Sequence, residues 1–546
     1  MVVLRGTSRA QGGACLGQAA ILSVEIRVAV ATPALRGGVL AADPKRNHLP
    51  ALDRHECLRI AAVGFAILVA VEQDENMKSK QPPGELSNQD RAVPGSCGME
   101  VGPVVCGCRQ IGLRQTIGAS LFHWLRLFGG LLAWLLIAST GLRGVMAGEP
   151  TTGSFDIQAE WPTFHGPRRD NLVRETGLLK RWPDDGPRLL WKSSVCGKGY
   201  AAVSVARGCL FTSGDFGEEE MVLALNLNGS LKWKTVHGKA WTGAQPGSRT
   251  TPTYDDGLVY HLGPHGNLSA FEAASGKPVW TIDIREQFTA PLGLWGYTEN
   301  LVVDGDQVLC TPGGAAGRVV ALDKKTGRVR WANTEITDRQ AYSSPIVAEH
   351  GGVRQFIALA RNSFFGVDIR TGSLLWSHPH ESFCDQNVTS PIYHDGSVFV
   401  SSGHRAGARV VKLSADNRDA RPVWSTTQLD NCHGGVVLLD GYLYGSGCRL
   451  YNKGLLCVEF ATGKVMYRAE QIGKASLTWA DGLLYCLDND GEMLLVQATP
   501  QRATVLSRFK IPRNDNDHTL THPVVCGGRL YLRHLDDLFA YNIRAD

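Results

Sequence analysis

The sequence lacks the marks of several protein classes. Its 14 cysteines in 546 residues are too few for a disulfide-stapled scaffold. No apolar run reaches the roughly 18 residues that a membrane-spanning helix needs. The sequence contains no phosphate-binding P-loop, no dinucleotide-binding GxGxxG fingerprint, and no CxxC or HExxH spacing for zinc. No motif therefore indicates the common nucleotide-dependent or zinc-dependent chemistries.

The chain also has no large excess of positive over negative charge. The chain holds 56 Lys+Arg against 52 Asp+Glu, a net charge of +4. Residues 1–147 contribute 15 basic and 10 acidic residues, so the rest of the chain holds 41 against 42, a net charge of −1. A main body without a basic excess has no overall electrostatic attraction to nucleic acid or to an anionic membrane. We therefore expect no nucleic acid among the partners.

The first 147 residues are interpreted as two parts that precede the folded body. Residues 1–116 show no sustained hydrophobic period and are predicted to be a non-native or disordered extension. Residues 117–147 are interpreted as the second part. The basic residues Arg109, Arg114 and Arg126 precede the apolar run Leu127–Thr140, and the small-x-small site Val145-Met146-Ala147 follows it. This order is typical of a secretory signal, with an uncleaved membrane anchor as the alternative. We expect an exported protein, periplasmic or extracellular, with its folded body over residues 148–546.

What the sequence does contain is a repeat. Tryptophan recurs at intervals of 42 to 51 residues, and Tyr467 and Phe509 continue the series. The tryptophans are Trp191, Trp233, Trp280, Trp331, Trp376 and Trp424. Most of them follow a turn phrase, seen best at Ala321–Trp331 (ALDKKTGRVRW), in which Asp and Gly suit a hairpin turn. The large ring that ends each phrase is expected to pack between neighbouring sheets.

A second hairpin phrase alternates with the first. It is an Asp-Gly pair before an apolar strand, as at Asp256-Gly257, with weaker copies at Gly208 and Gly352. Two hairpins in each of eight units predict an all-β, eight-bladed β-propeller of four-stranded antiparallel blades. The first aromatic strand, Leu189–Lys192, has no blade before it. We expect it to complete the last blade, because closing the ring removes exposed sheet edges.

The phrase at Ala321–Trp331 resembles the repeat of the pyrroloquinoline-quinone (PQQ) propeller superfamily, and the resemblance extends over Trp161–Asp546. That superfamily includes quinoprotein alcohol dehydrogenases and non-enzymatic members such as the propeller subunit of the outer-membrane assembly machinery. The segment Trp161–Asp170 (WPTFHGPRRD) also resembles exported bacterial PQQ-like propellers, some of which carry the label polyvinyl-alcohol dehydrogenase. The resemblance implies the fold, whereas function depends on a site rather than on the scaffold.

The innermost strand of each propeller blade lines the axial channel, so the residues that lead into these strands should meet at one mouth. Polar and aromatic residues recur in these segments, and hydrogen-bond donors are common among them. The candidate ligand-binding residues are Tyr200, Arg249, Tyr297, Glu299, Tyr342, Asn387, His433, Lys474 and His522. The alternative is a wet channel whose polar groups bond only to water and to neighbouring blades.

A quinoprotein enzyme would need six to eight oxygen ligands for calcium beside the quinone. If the resemblance to the dehydrogenases extends to their cofactors, PQQ and calcium, then Glu299, Asn387 and Asp385 are the candidate calcium ligands. The adjacent cysteine pair typical of these enzymes is absent, and none of their metal-binding segments matches residue by residue. A salt bridge between Glu299 and Arg249 is the simpler interpretation. No catalytic residue is identified.

Three functional hypotheses follow. The first is an exported PQQ-like propeller that binds a small molecule or an envelope protein at its channel mouth without catalysis. The second is a PQQ- and calcium-dependent alcohol dehydrogenase, of the polyvinyl-alcohol type, that passes electrons to an external acceptor. The third is a protein-interaction scaffold of the cell envelope that uses blade loops such as Phe216–Glu220 or Leu413–Arg421.

Overall fold

Eight sheets form a ring in the computed structural model, which describes residues 160–382, 386–448, 452–513, 515 and 517–545. The predicted all-β, eight-bladed propeller is confirmed. The predicted extension (1–116), the predicted signal (117–147) and Asp385 lie outside the described residues. In the described part of the chain, no helix has the length and apolar character needed to cross a membrane.

Two short strands precede the first blade, and the next four blades follow in chain order. The preceding strands are β1 (Leu172–Val173) and β2 (Leu189–Ser193). Blade 1 contains β3 (Ser204–Ala206), β4 (Cys209–Phe216), β5 (Glu219–Asn226) and β6 (Leu231–Lys239). Blade 2 contains β7 (Thr253–Asp255), β8 (Leu258–Leu262), β9 (Asn267–Glu272) and β10 (Pro278–Asp283), and the short helix α1 (Ile284–Phe288) follows it. Blade 3 contains β11 (Val302–Asp304), β12 (Gln307–Cys310), β13 (Val319–Asp323) and β14 (Val329–Asn333). Blade 4 contains β15 (Ile346–His350), β16 (Val353–Leu359), β17 (Ser363–Asp368) and β18 (Leu374–Pro379).

The second half of the ring repeats this arrangement. Blade 5 contains β19 (Ile392–His394), β20 (Ser397–Ser402), β21 (Gly407–Leu413) and β22 (Ala420–Thr426). Blade 6 contains β23 (Val436–Leu439), β24 (Tyr442–Ser446), β25 (Leu455–Glu459) and β26 (Val465–Ala469). Blade 7 contains β27 (Ala475–Ala480), β28 (Leu483–Asp488), β29 (Glu492–Ala498) and β30 (Ala503–Lys510). Blade 8 contains β31 (Val524–Cys526), β32 (Arg529–His534) and β33 (Asp537–Asn542).

The two ends of the chain share blade 8. Strand β2 pairs antiparallel with β33, with Leu189 opposite Tyr541 and Ser193 opposite Leu538, so the sheet order is β2-β33-β32-β31. The expected ring closure through Leu189–Lys192 is therefore confirmed. It leaves no blade with three strands, which satisfies the backbone groups along the edge of β33.

The first hairpin of each blade is a two-residue turn, as the Asp-Gly phrases predicted. At Asp256-Gly257 the φ angles are 46° and 82°, and at Asp440-Gly441 they are 48° and 83°. Two successive residues with positive φ define the type I′ turn, whose twist matches that of the flanking strands. The short turn places the innermost strand of each blade in register with the second strand, and so fixes which residues face the axis.

The tryptophan at the end of each repeat packs on the next blade. Trp280 of blade 2 donates from Nε1 to the backbone oxygen of Lys324 at 3.0 Å, and its ring lies on Gly327 of blade 3. A Cβ at Gly327 would come within 2.8 Å of that ring, and Gly327 has φ +70°. The same pairing of ring and turn glycine recurs at Trp191–Gly229, Trp233–Gly276, Trp331–Gly372 and Trp424–Gly463. The glycines of these turns therefore have two roles. They allow the hairpin turn, and they leave room for the aromatic ring of the preceding repeat.

Trp376 departs from this pattern for a reason visible in the sequence. The corresponding turn of blade 5, residues 414–419 (SADNRD), contains no glycine. The Nε1 of Trp376 instead donates to Gln355 Oε1 of its own blade at 2.7 Å. Gln355 in turn donates to Asn417 Oδ1 at 2.9 Å. Hydrogen bonds that join Trp376, Gln355 and Asn417 thus replace the packing of the ring on a turn glycine.

The apolar core lies between blades rather than within them. One cluster joins Leu268 of blade 2 to Val308 and Val320 of blade 3. Another joins Leu495 of blade 7, Leu532 of blade 8 and residues of blade 1, so it continues across the closure. Since every blade buries both of its faces, the ring is stabilised as a whole.

Candidate functional site

The chain from Trp161 to Val173, here called the axial segment, lies against the innermost strands. Trp161 exchanges two backbone hydrogen bonds of 2.8 Å with Val205 of blade 1. Tyr254 of blade 2 donates its backbone N–H to the oxygen of Pro162 at 2.8 Å. Strand β1 then pairs in parallel with β27 of blade 7. The protein's own backbone therefore lies along inner strands that sequence analysis expected to line a channel.

The axial segment has an unusual backbone. His165, Arg169 and Asn171 have φ of 65°, 56° and 61°. Residues other than glycine rarely occupy this left-handed region, and they remain there only when surrounding contacts hold them. Gly166, with φ +81°, packs so closely on Trp161 that a Cβ would lie 2.6 Å from the ring. The conformation of this segment is thus fixed by specific contacts with the blades.

Arg169 is the main polar anchor of the axial segment. Its Nε donates to the oxygen of Pro345 at 2.8 Å, and its Nη2 donates to the oxygen of Asn300 at 2.7 Å. Its Nη1 donates to Leu301 O at 2.9 Å and to Thr163 Oγ1 at 2.8 Å. Burial lowers the pKa of Arg169 to about 10, so the group stays a cation at neutral pH. One guanidinium thus connects the axial segment to the strands leading into blades 3 and 4.

Glu299 lies in the same region and is buried. Its Oε2 accepts the backbone N–H of Thr311 at 3.1 Å, while its Oε1 is buried without a partner. Burial raises the pKa of Glu299 to about 8, although the hydrogen bonds from Thr311 and the charge of Arg169 act in the opposite direction. The expected salt bridge between Glu299 and Arg249 is wrong, because the Nη2 of Arg249 donates to the oxygen of Ala244 at 2.5 Å.

Three of the predicted site residues come together on the mouth face. The Tyr200 hydroxyl lies 3.4 Å from Gln245 Oε1, and the Arg249 guanidinium lies 5.5 Å from the Trp241 ring centre. Burial lowers the pKa of Arg249 to about 10, and its electrostatic neighbours include Tyr200 and Tyr342. Tyr200, Arg249 and Tyr342, which lead into blades 1, 2 and 4, therefore form one group.

An exposed apolar loop lies beside this group. Leu294 is 60% exposed, the largest exposed fraction among the large apolar side chains of the described residues. The backbone N–H of Trp295 donates to the Tyr342 hydroxyl at 3.4 Å, and Gly296 packs on the Trp241 ring. We call Trp241, Arg249, Leu294, Trp295 and Tyr342 the mouth patch. In this group Leu294 is exposed and Arg249 and Trp295 are partly exposed, whereas Trp241 and Tyr342 are buried, with 7% and 5% of their surface exposed.

His433, Lys474 and His522 form a second group, over blades 6 to 8. His522 Nε2 lies 2.8 Å from the oxygen of His433, and His522 Nδ1 lies 3.1 Å from Nε2 of His165 in the axial segment. Burial lowers the pKa of His522 to about 4. Burial, and then the charge of Lys474, hold the pKa of His433 well below its usual value. Neutral imidazoles of this kind serve as hydrogen-bonded links between the axial segment and the blades.

Two further predicted residues point away from the axis. Tyr297 is buried in the core between blades 2 and 3, where its hydroxyl donates to the oxygen of Pro312 at 2.9 Å. The amide nitrogen of Asn387 donates to the oxygens of Ala360 and Arg361 at 2.6 and 2.9 Å. The amide oxygen of Asn387 accepts from Ser402 at 2.5 Å. Both side chains support the scaffold in this structure.

The residues present do not fit a calcium–quinone centre. Of the three candidate calcium ligands, Asp385 lies outside the described residues. The amide oxygen of Asn387 is engaged by Ser402. Arg169, a permanent cation, is the charged group that acts on the pKa of Glu299, and it would repel a calcium ion bound to this carboxylate. The donor set for calcium is therefore incomplete in the described part of the chain.

Sequence analysis missed several features. Arg169 and His165 stand in a segment that sequence analysis took only as a family signature, and the signal that would have identified them is its density of polar residues (TFHGPRRD). Cys432 forms a disulfide with Cys448, with 5.2 Å between their Cα atoms. A cleft of about 600 Å³ opens between blades 1 and 2 at the end opposite the mouth, near Arg207 and Asp256.

Comparison with known proteins gives two kinds of relative. The family described as "Outer membrane protein assembly factor BamB" matches residues 218–469 of the chain. The outer membrane protein assembly factor BamB of Shewanella oneidensis is 24% identical over 318 residues, which cover 54% of this chain and 76% of that protein. The quinoprotein alcohol dehydrogenase PedH of Pseudomonas putida is 25% identical over 205 residues, 34% of this chain and 31% of that protein.

Among solved structures, the quinohemoprotein alcohol dehydrogenase of Comamonas testosteroni superposes with a TM-score of 0.53 at 12% identity. The superposition covers 71% of this chain and 81% of that one. At this identity the likeness shows the fold alone. Sequence relatives thus include both an assembly factor and dehydrogenases, and the choice between their functions depends on the site geometry.

Proposed function

We propose that this chain, a β-propeller whose repeat resembles that of the PQQ propellers, acts in the cell envelope as a binding protein that catalyses no reaction of its own. Its partner is a protein that docks on the mouth patch. The resemblance to the assembly factors supports an envelope location, since they are named for work at the outer membrane. A small-molecule ligand at the mouth is the alternative occupant.

The single observation that carries the proposal is the position of Arg169. An enzyme of the quinoprotein type requires an open axial site for its cofactor and a metal beside it. Here the axial segment lies along the inner strands, and the Arg169 guanidinium, with four hydrogen bonds to protein oxygens, stands near Glu299. A small molecule that lay along the inner strands at Val205, Tyr254 or Trp479 would have to displace this segment. These contacts support the docking of a partner on the mouth surface rather than the binding of a cofactor along the axis.

The composition of the mouth patch suits a protein partner. Tryptophan, tyrosine and arginine are the residues most enriched at the centres of protein interfaces. Leu294, at 60% exposure, offers an apolar side chain whose burial by a partner is worth about 1.5–3 kcal/mol. The other strongly exposed apolar residues, such as Val279 and Val423, lie on the outermost strands of separate blades. The mouth patch is thus the place where apolar exposure coincides with interface-type residues.

Quantitative capture from an envelope extract tests this proposal. The immobilised full chain should retain a protein partner, and Leu294→Asp or Arg249→Glu should reduce that retention at least tenfold. Val279→Asp is the matched control, since Val279 is 44% exposed but lies on the outer strand of blade 2. Equal retention by Leu294→Asp and Val279→Asp would remove the mouth patch from the proposal.

A cofactor assay tests the non-catalytic part. The chain is incubated with PQQ and calcium and then desalted, and the absorbance of retained quinone is recorded. We expect no retained quinone and no dye-linked oxidation of alcohols. Retained quinone together with alcohol oxidation would establish a dehydrogenase and overturn the proposal.

A further inference from the structure

A buried group of one carboxylate and two imidazoles lies between blades 1 and 2, and Ser248, the residue before Arg249 of the mouth patch, donates a hydrogen bond to it. We call Glu220, His237 and His261 the interblade cluster. His237 Nδ1 lies 3.0 Å from Glu220 Oε2, and His261 Nε2 lies 3.2 Å from Glu220 Oε1. Each of the three side chains is at most 1% exposed. The three ligand-type atoms all lie within 4.8 Å of one another.

The hydrogen-bond directions around His261 fix where its proton lies. Thr250 has one hydroxyl proton, and its Oγ1 donates to the oxygen of Leu262 at 2.6 Å. Its 3.2 Å contact with His261 Nδ1 must therefore be one in which Nδ1–H donates to the Thr250 hydroxyl. A neutral His261 then presents a bare lone pair from Nε2 toward the oxygen of Glu220.

Either a proton or a bound cation must lie between this nitrogen and the carboxylate oxygen, because two facing lone pairs repel each other. The first case is an imidazolium–carboxylate pair, and the second is a metal site. The enclosure of the three side chains, each at most 1% exposed, and the grouping of their ligand-type atoms within 4.8 Å favour a bound metal ion.

The donor set identifies the kind of cation. Two imidazole nitrogens and a carboxylate oxygen suit divalent first-row metals, zinc above all, whereas calcium and magnesium take oxygen ligands. Tetrahedral zinc with bonds of about 2.0–2.2 Å holds its ligand atoms about 3.4 Å apart. His237 Nδ1 and His261 Nε2 lie close to that separation from the two different oxygens of Glu220, at 3.0 and 3.2 Å. One ligand atom from each residue lies within 4.8 Å of the other two, so a small adjustment of the side chains would bring them around one ion. Thr250 is the outer-shell acceptor that a metal-bound histidine normally has.

We propose that the interblade cluster binds one divalent first-row transition metal ion, with zinc as the preferred ion. Glu220 comes from β5 and His237 from β6 of blade 1, while His261 comes from β8 of blade 2. The ion therefore links two blades. Ser248, whose Oγ lies 2.6 Å from Glu220 Oε1, is the nearest further oxygen. Because the site is enclosed, its role is structural rather than catalytic.

The local sequence leaves room for this arrangement. Gly263 follows β8, and a Cβ there would collide with Glu220 Oε2 and come within 3.0 Å of the His237 ring. Any other residue at this position would displace the carboxylate from the two imidazoles. His237 Nε2 is buried without a partner, so the ring has no polar contact in the described chain other than that at Nδ1.

Metal titration of the full chain tests the proposal. The protein is stripped with a chelator, kept non-reducing so that Cys432 and Cys448 stay in their disulfide, and titrated with cobalt and then zinc. We expect uptake of one cobalt ion per chain, with visible absorption bands of a nitrogen- and oxygen-bound ion and no thiolate charge-transfer band. Zinc should displace the cobalt and raise the melting temperature. An unmodified chain that takes up no cobalt at micromolar concentration, and whose melting temperature zinc leaves unchanged, contains a carboxylate–imidazolium pair only and overturns the proposal.

Three variants locate the ion. Glu220→Gln keeps the shape of the side chain and should weaken cobalt binding at least tenfold, and Thr250→Val should weaken it by about 10- to 100-fold through loss of the outer-shell contact. His265→Gln is the matched control, since His265 lies nearby but bonds only to the backbone oxygen of Ala240. Cobalt binding by Glu220→Gln as tight as that of His265→Gln would overturn the proposal. This outcome is independent of partner capture at the mouth patch.

Discussion

Replacing Gly327 by alanine tests the idea that each turn glycine leaves room for the tryptophan ring of the preceding repeat. The change has three costs. An alanine at φ +70° costs about 1–2 kcal/mol from backbone strain. The new Cβ would also lie 2.8 Å from the Trp280 ring, so the ring must move, which costs about 1–3 kcal/mol in packing. The hydrogen bond from Trp280 Nε1 to Lys324 O, at 3.0 Å, contributes about another 1 kcal/mol if lost.

Gly305 supplies the matched control. It has φ +60°, but nothing lies within 4 Å of a Cβ placed there. Gly305→Ala should therefore cost only about 1–2 kcal/mol, whereas Gly327→Ala should cost about 3–6 kcal/mol if the hydrogen bond is lost as well. The free energy of unfolding is measured in urea by tryptophan fluorescence and far-ultraviolet circular dichroism, which must give coincident transitions. In a double-mutant cycle with Trp280→Ala, the excess cost of Gly327→Ala should disappear. Equal costs for the two glycine variants would refute the reasoning.

Two further predictions concern the axial region. Arg169→Met removes four charged hydrogen bonds and leaves the oxygens of Pro345, Asn300 and Leu301 without their donor. We therefore expect a loss of about 3–5 kcal/mol in unfolding free energy and faster proteolysis before residue 178. Arg168→Met, at an exposed position, is the control, and equal losses for the two variants would contradict the anchoring role of Arg169. The pKa of Glu299 is raised to about 8 from an ordinary 4.5, so its contribution to stability is fully present below about pH 4.5 and is lost as pH rises through 8. Glu299→Gln should therefore flatten the decline in unfolding free energy between pH 5 and 8 by about 3–5 kcal/mol, and an unchanged pH slope would argue against a neutral buried carboxyl.

The fold could be predicted from the sequence because each repeat contains the signals for its own blade. Each blade carries its own turn chemistry and its own aromatic ring, so spacing alone gives the number of blades. The closure at Leu189 followed from counting strands. Trp376 shows the limit of such prediction. The missing turn glycine is visible in the sequence, but the hydrogen-bond partner that replaces it, Gln355, lies in a different strand and is not indicated by the turn phrase.

The candidate site was only partly accessible. The grouping of Tyr200, Arg249 and Tyr342 followed from their shared position before the inner strands. Tyr297 and Asn387 occupy equivalent positions but point into the scaffold, since neighbouring residues of an extended chain face opposite sides. The route of the axial segment depends on contacts with strands over 130 residues away, such as that of Arg169 with Leu301, and no local pattern encodes such contacts.

The interblade cluster was missed for a related reason. Sequence analysis took Phe216–Glu220 for a loop insertion, whereas β4 and β5 extend through Phe216 and Glu219 with a two-residue turn between them. Glu220 is therefore a strand residue facing inward. His237 and His261 belong to strands of different blades, so their approach is a consequence of ring geometry alone.

The closure of blade 8 has a consequence for how the molecule is made. Strand β2 is synthesised early, yet its partner β33 follows only after about 340 further residues. Until then β2 has no strand paired with it, although Trp191 can already pack on Gly229 of blade 1, and the final pairing joins residues far apart in sequence. Formation of the ring must therefore finish with the pairing of β2 and β33, and a chain that lacks β33 would form an open ring with exposed strand edges that favour aggregation.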